Sequence, residues 1–384
     1  MALQIGRRGQ LYLKKEASYG VEEVLASANA LRHTNVGFDS DPFARVTSEE
    51  KKQSPGPVNR FDRKKTAGLS TLVSLLRPSG VLNTLPEIAP ILEAAFGAIT
   101  NVTLATTVAA SPAPTTTTAT VAAAGALAKG DAILIEVTGQ ALSPFVRFLT
   151  NVAANALTWS PALPAAPSTG DDVKGGITYK LTTALTISLT IAHYLTNFKK
   201  ELLGAGIESL AMAFDANAEP RVTASGPAKE QLTGTTQAQP AAFTTVGGNP
   251  PSGLIGNLYI GNTAYLFKSL EISIANGLAV RNQEYGVNAP TELYRSGRRE
   301  ISVSLDAFAE TEATLYDLAE AGTNAVLMKQ TGRTEGNIVA VYAPKVEWKV
   351  PSQDDPDEEV SWSFSGMALE SIDGDNDELR LGIL

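Results

Sequence analysis

The sequence predicts a mainly β protein: an antiparallel β-sandwich or barrel with two short flanking helices and an inserted small β-barrel domain. Three observations carry this. Several segments alternate apolar and polar residues with a period of two, which gives a strand one covered and one open face. "SLEISIANGL" sets Leu270, Ile272 and Ile274 against Glu271 and Ser273; "REISVSLDAF" sets Ile301, Val303 and Leu305 against Ser302, Ser304 and Asp306. The composition is 43% hydrophobic with only 7% aromatic and 18% charged residues, and Thr, Ala, Ser and Gly fill the remainder, a mixture that favours strands and turns. Between "GDAILIEV" and "GITYKL", short β-prone runs and turn signals recur every ~8–12 residues, as in a small barrel.

The 384 residues suffice for two or three domains. Residues 1–57 read as an N-terminal arm and a long exposed loop, in which Phe38 and Phe43 have little local pattern to join. Residues 58–110 and 183–384 read as one β-sandwich body, and 111–182 as a linker and inserted domain. "TLPEIAPILEAAFG" is the clearest helix: Thr84 caps it, Glu87 completes a capping box, Leu85, Ile88, Leu92 and Phe96 form its stripe, and Gly97 stops it. Pro90 reads as an interior fault. "TNVTLATTVAASPAP" is the linker, "TTTTATVAAA" the first strand of the insert, and "GITYKL" its last. In "LTISLTIAHYL", Ile187, Leu189 and Ile191 face one way and Ser188 and Thr190 the other. A second short helix spans about 311–321 and ends at Gly322; in the closing strand, Val360, Trp362 and Phe364 oppose Ser361 and Ser363.

The net charge of −9 is unevenly spread: residues 1–66 hold 12 Lys/Arg against 8 Asp/Glu, while 10 acidic residues after Val350 face only Arg380. A basic arm on an acidic body is either a solvated surface or a means of docking onto a neighbouring copy.

Chemistry is sparse. With no cysteine, disulfides, thiolate metal sites and cysteine nucleophiles are excluded. His33 and His193 have no Cys, Ser–Asp pair or second His at ligand spacing, and no phosphate-loop, dinucleotide, zinc-protease or nucleophile-elbow motif occurs. "DGDNDE" places Asp373, Asp375 and Asp377 as in a calcium loop, but Glu378 stands where that loop needs Gly; it reads as an acidic turn. Asp354, Asp355, Asp357, Glu358 and Glu359 read as a solvated loop, and the Arg298–Arg299 pair as a strand-edge guard or interface contact. The expectation is a protein that is not an enzyme and takes no cofactor or metal. The N-terminus has no apolar core of signal-peptide length and no run approaches ~18 apolar residues, so synthesis in the cytosol without membrane entry is expected.

The recurring device is a strand face of Ser, Thr, Ala or acid, almost without Lys or Arg. Such a surface suits duplex DNA passing without adhesion, because each Lys or Arg on a phosphate adds affinity. "FKSLEISIANGLAVRNQEYGVNAPTELYRSGRREISVSLDAF", the helix "ETEATLYDLAEAG" and the ending "GNIVAVYAPKVEWKV…EEVSWSFSGMALES" resemble the major tail tube proteins of long-tailed bacteriophages. So does "PVNRFDRKKTAGLSTLVSLLRPSGVLNTLPEIAPILEAAFG", and the resemblance covers about residues 10–100 and 181–384. It implies a sandwich of tail-tube type forming hexameric rings, whose inner sheets join into one barrel and whose loops and terminal arms stack ring on ring.

The resemblance thus implies a structural virion protein made in the host cytoplasm. Its partners would be itself, other tail proteins (tape measure, terminator, distal tail protein) and double-stranded DNA in the lumen, with no membrane. Candidate lumen residues are Ser188, Thr190, Glu271, Ser273, Ser302, Ser304, Ser361 and Ser363; candidate inter-ring contacts are Phe38, Phe43 and Arg45. The insert departs from the minimal family pattern and resembles small barrels that decorate some phage tails. Competing readings are another tail part (terminator, distal tail protein or contractile-device tube) or a secreted β-rich adhesin.

Overall fold

The computed structural model describes residues 9–41, 45–47, 51, 53, 56, 60–62, 65–195, 198–233, 238–308, 313–351 and 361–384. The first part of the chain supplies β1 (Gln10–Lys15), β2 (Ala30–Leu31), β3 (Asn35–Asp41), β4 (Arg45–Thr47), β5 (Arg60–Asp62) and β6 (Thr66–Leu75). Helix α1 (Ala89–Phe96) follows, then β7 (Gly97–Asn101), β8 (Ala105–Thr107), β9 (Thr118–Thr120), β10 (Ala132–Ile135), β11 (Phe145–Ala153), β12 (Ala156–Ser160), β13 (Asp172–Gly175) and β14 (Ile177–Leu181). Next come β15 (Leu189–Leu195), β16 (Phe198–Ala205), β17 (Ser209–Asp215), β18 (Arg221–Ala228), β19 (Glu230–Thr233), β20 (Gly256–Ile260), β21 (Thr263–Tyr265) and β22 (Phe267–Ala275). The chain closes with β23 (Leu278–Val280), β24 (Leu293–Arg295), β25 (Glu300–Phe308), α2 (Ala313–Glu320), β26 (Ala325–Thr331), β27 (Val339–Trp348), β28 (Ser361–Ala368) and β29 (Arg380–Ile383).

The fold is mainly β and antiparallel, as the alternation predicts. A large sheet runs β21-β20-β26-β27-β28-β25-β22-β17-β18-β6-β3, with β29, β14 and β7 branching from β27. A five-stranded sheet runs β19-β16-β15-β1-β2. One continuous core joins them: Leu11, Leu13, Ile191 and Leu202 of the smaller sheet cluster with Leu72, Met212, Ile272, Val303 and Phe364 of the larger and with Ile91, Leu92 and Phe96 of α1.

Helix α1 starts at Ala89, so Pro90 occupies the first turn, where its missing N–H costs nothing, and no interior fault arises. Gly97 ends the helix as expected, in the left-handed region at φ 100°. Glu87 does not close a capping box; it pairs with Arg32 and accepts from Val246 N at 3.0 Å. Leu85 is exposed, so the stripe reduces to Ile88, Leu92 and Phe96.

Two expectations about the N-terminal region are corrected. Residues 10–15 are not an arm: β1 lies inside the five-stranded sheet, and Leu11, Tyr12 and Leu13 are buried. The 24–57 stretch is not a structureless loop either. β3 pairs antiparallel with β6 in the large sheet, and β4 pairs antiparallel with β5 as a separate two-stranded sheet.

The insert's sheet, β8-β13-β10-β11-β12-β9, closes on itself where Val108 bridges Val121 and Ala109 N donates to Thr120 O at 2.7 Å. Its interior holds Ile133, Ile135, Phe145, Leu157 and Trp159. The first strand is β8, in the stretch expected to be linker, and Thr118–Thr120 comes second. "GITYKL" belongs elsewhere: β14 pairs with β7 and β29 of the large sheet, and Ile177, Tyr179 and Leu181 enter the main core. Excising residues 111–182 would therefore remove part of the body's own core.

The barrel is joined tightly to the body. Ala132, Leu134, Val146 and Phe148 cluster with Tyr259, Met328, Ile338 and Tyr342, and Phe148 stacks on Tyr342 at 5.1 Å. Arg147 is fully buried at this seam: Nε donates to Pro161 O at 2.8 Å, Nη1 to Val146 O at 2.7 Å and Nη2 to Ala162 O at 2.9 Å, with Tyr259's ring 4.9 Å from the guanidinium. Arg147→Ala leaves buried carbonyls without donors and opens a cavity. The expected loss in urea unfolding is about 3 kcal/mol or more; a loss under about 1 kcal/mol would contradict this role.

Candidate functional site: the open face of the large sheet

β17, β22, β25 and β28 lie side by side, and their registers align residues into rungs. Asp215, Ser269, Asp306 and Ser363 form one rung; Ala213, Glu271, Ser304 and Ser365 the next; Ala211, Ser273, Ser302 and Met367 a third. Residues directly opposite in an antiparallel pair share a face. The intervening rungs, such as Met212–Ile272–Val303, are buried in the main core, so the polar rungs make the sheet's other face. Glu271, Ser302, Ser304, Ser363 and Ser365 are exposed and Ser273 is half-buried.

The face is knitted by short contacts. The Ser273 and Ser302 hydroxyl oxygens lie 2.7 Å apart. Ser269 Oγ donates to Asp306 Oδ2 at 2.8 Å, and Ser363 Oγ donates to Asp306 Oδ1. A shallow cleft of about 360 Å³ runs along it, lined by Glu271, Ser302, Ser304, Ser365, Met367 and Lys349. On these four strands the aligned rungs carry Asp215, Glu271, Glu300 and Asp306 but neither Lys nor Arg; Lys268 sits at the β22 bulge beside Ser269, the exposed Lys349 lines the cleft, and Arg221 stands opposite Ala213 on β18. Ser365, Asp306 and Ser269 belong with the candidates drawn from the sequence, and the same two-residue spacing from Ser363, Ser304 and Glu271 identifies them.

Ser188 and Thr190 do not join this face. Both are buried, and their hydroxyls donate to Glu16 at 2.6 and 3.0 Å. β15 has neighbours on both sides and is covered on both faces, so its Ser/Thr phase marks an internal hydrogen-bond network. Ser361 opens β28 opposite Phe308. Of the candidate inter-ring contacts, Phe38 packs half-buried against the main core, with its ring 6.4 Å from that of His193. Arg45 stands opposite Asp62 in the β4–β5 pair, and Phe43 lies outside the described residues.

Other sequence features resolve into internal contacts. Of the Arg298–Arg299 pair, Arg299 turns inward, its side chain 6% exposed and bound to Glu378 at 2.6 and 2.7 Å, while Arg298 is exposed. In "DGDNDE", Asp377 is buried and accepts from Ser371 N at 2.8 Å, and Asp375 pairs with Lys129 at 2.5 Å. The acidic stretch from Asp354 to Glu359 lies outside the described residues. Among the described residues, no group of three or more His, Asp or Glu is placed to hold a metal ion, and no helix is long and apolar enough to cross a membrane.

The two histidines meet edge to face, ring centroids 5.5 Å apart. Burial, then His33 and Lys200, push His193 down from 6.5 to about 4, and burial lowers His33. A histidine depressed in the fold contributes stability above its unfolded value that is lost as pH falls through the folded one. Wild-type protein is therefore expected to lose stability between pH 6.5 and about 4 more steeply than His193→Phe, read from urea midpoints at several pH values. Equal losses would show that His193 does not carry this dependence.

A family model described as "Phage tail tube protein" matches residues 6–368, nearly the entire chain. No curated protein matches it.

Proposed function

We propose that this chain, which belongs to the phage tail tube protein family, assembles into stacked hexameric rings whose lumen is walled by the open face of β17, β22, β25 and β28. The tube would conduct double-stranded DNA during ejection. The observation that carries this reading is the hydroxyl-rich and mildly acidic character of the strand rungs on that face, which bear no Lys or Arg. Screening over ~8 Å at physiological salt means that only groups close to the wall act on passing phosphates. Rungs without Lys or Arg add no counterion-release affinity of their own, which keeps the wall's hold on DNA weak.

Membership of the family implies a structural protein of the virion that assembles with itself and with other tail proteins. The finer reading adds the tape measure, terminator and distal tail proteins as partners, synthesis in the host cytoplasm, and no catalytic role. The hairpin region around Arg45 and Asp62 would reach the next ring. The inserted barrel would sit outside the tube, since a closed six-stranded unit projecting into the lumen would obstruct DNA.

The lumen reading is tested by the triple variant Ser273→Lys, Ser302→Lys, Ser304→Lys. Tubes are expected to form, and DNA release from particles, followed by dye fluorescence, is expected to slow most at low salt. Three added phosphate contacts per subunit give a salt slope of about 2.7 per subunit engaged. Assembled tubes with normal release at every salt concentration would refute the assignment. For stacking, replacing residues 45–62 by a short Gly/Ser turn is expected to leave folded subunits that form single rings; full-length tubes from that variant would remove the hairpin from the joint.

A further inference from the structure

Between β1 and β2, residues 17–26 form a strap over the five-stranded sheet. Val21 and Val24 point outward, 55% and 77% exposed, and Leu25 is the strap's buried apolar anchor. Most of its polar contacts are complete. Glu16, buried at its root, accepts from Gly20 N at 2.7 Å and Gly204 N at 2.8 Å, besides the hydroxyls of Ser188 and Thr190. Glu23 pairs with Lys14 at 2.8 Å and accepts from Ala17 N at 3.0 Å, and Lys229 Nζ donates to Gly20 O at 3.1 Å.

One contact breaks this pattern. Glu201 on β16 is 0% exposed, and among the described residues neither of its carboxyl oxygens has a donor. Glu22 of the strap abuts it, and Glu22 Oε1 is likewise buried without a donor. Ionised carboxylates only accept hydrogen bonds, so two in contact bond to each other only when one carries a proton. We propose that Glu22 and Glu201 share one proton and form a latch that holds the strap on the five-stranded sheet and releases it as pH rises.

The charged groups on this face that are among the described residues have other partners. On the same face, β15 presents Thr190, Ala192 and Tyr194, and β1 presents Tyr12 and Lys14. Lys14 is taken by Glu23, Lys199 of β16 lies over the Tyr194 ring at 5.5 Å, and Glu230 of β19 pairs with Lys65 at 3.7 Å. Burial, then the charge of Glu22 and a hydrogen bond to it, push Glu201 up from 4.5 to about 7. A carboxyl raised in the closed state binds its proton more tightly there than in the open state. Its hold is complete below pH 4.5 and lost as pH rises through about 7.

Hydrogen exchange of the full-length protein tests the latch. After correction for intrinsic rates, strap opening read at the amides of 21–25 is expected to increase on the order of tenfold between pH 6 and 8.5. Glu201→Gln keeps a donor at every pH and should abolish that increase; Glu22→Gln should do the same and serves where the first variant folds poorly. A flat wild-type profile would overturn the proposal, as would an undiminished pH dependence in a folded Gln variant. So would wild-type protection at pH 8.5 that depends on added calcium and vanishes with chelator, since the pair would then hold a cation.

Discussion

The register between β22 and β25, with Ile272 opposite Val303 and Ser273 opposite Ser302, is the constraint on which the rest of the molecule depends. A slip of one residue would carry Ser302 and Ser304 into the core and turn Ile301, Val303 and Leu305 to water. Each misplaced aliphatic side chain would cost about 1.5–3 kcal/mol, before counting the buried hydroxyls. The register is passed to β17 and β28 by the same pairing, so one apolar phase builds the core and its complement builds the polar face. The proposed function and the stability therefore draw on opposite faces of the same strands.

The same logic explains what the sequence reveals. β22, β25 and β28 are covered on one side only, so their two-residue period is legible, as is the Gly97 stop after α1. β1 is covered on both sides; "QLYLKK" shows no alternation, and its lysines suggest a surface arm. β3 carries Gly37, Asp39, Ser40 and Asp41, a loop-like composition, yet it is ordered by pairing with β6, a long-range contact that no local pattern encodes. "GITYKL" follows the insert in sequence but pairs with β7 and β29, a choice set by tertiary partners.

Ser188 and Thr190 show how a correct alternation can give a wrong site. Their phase opposite Ile187, Leu189 and Ile191 is real, but the face they occupy is closed by Glu16 and the strap that follows it. A covering segment more than 150 residues away in sequence is invisible to a local reading. The inserted barrel differs again. Its seam, built on Arg147, Phe148 and Tyr342, packs it against the body, although the Thr/Ala/Pro-rich stretch reads as a linker in sequence.

The absence of cysteine makes the central claim directly measurable, because Ser302→Cys introduces a single thiol on the polar face. Labelling with a small maleimide and with a bulky polyethylene-glycol maleimide, on free subunits and on assembled tubes, compares access from the two sides of the wall. The account predicts that both reagents modify the free subunit, while in intact tubes the small reagent reacts and the bulky one is excluded. Equal reaction of the bulky reagent in tubes and in free subunits would place Ser302 on the outer surface and contradict the account.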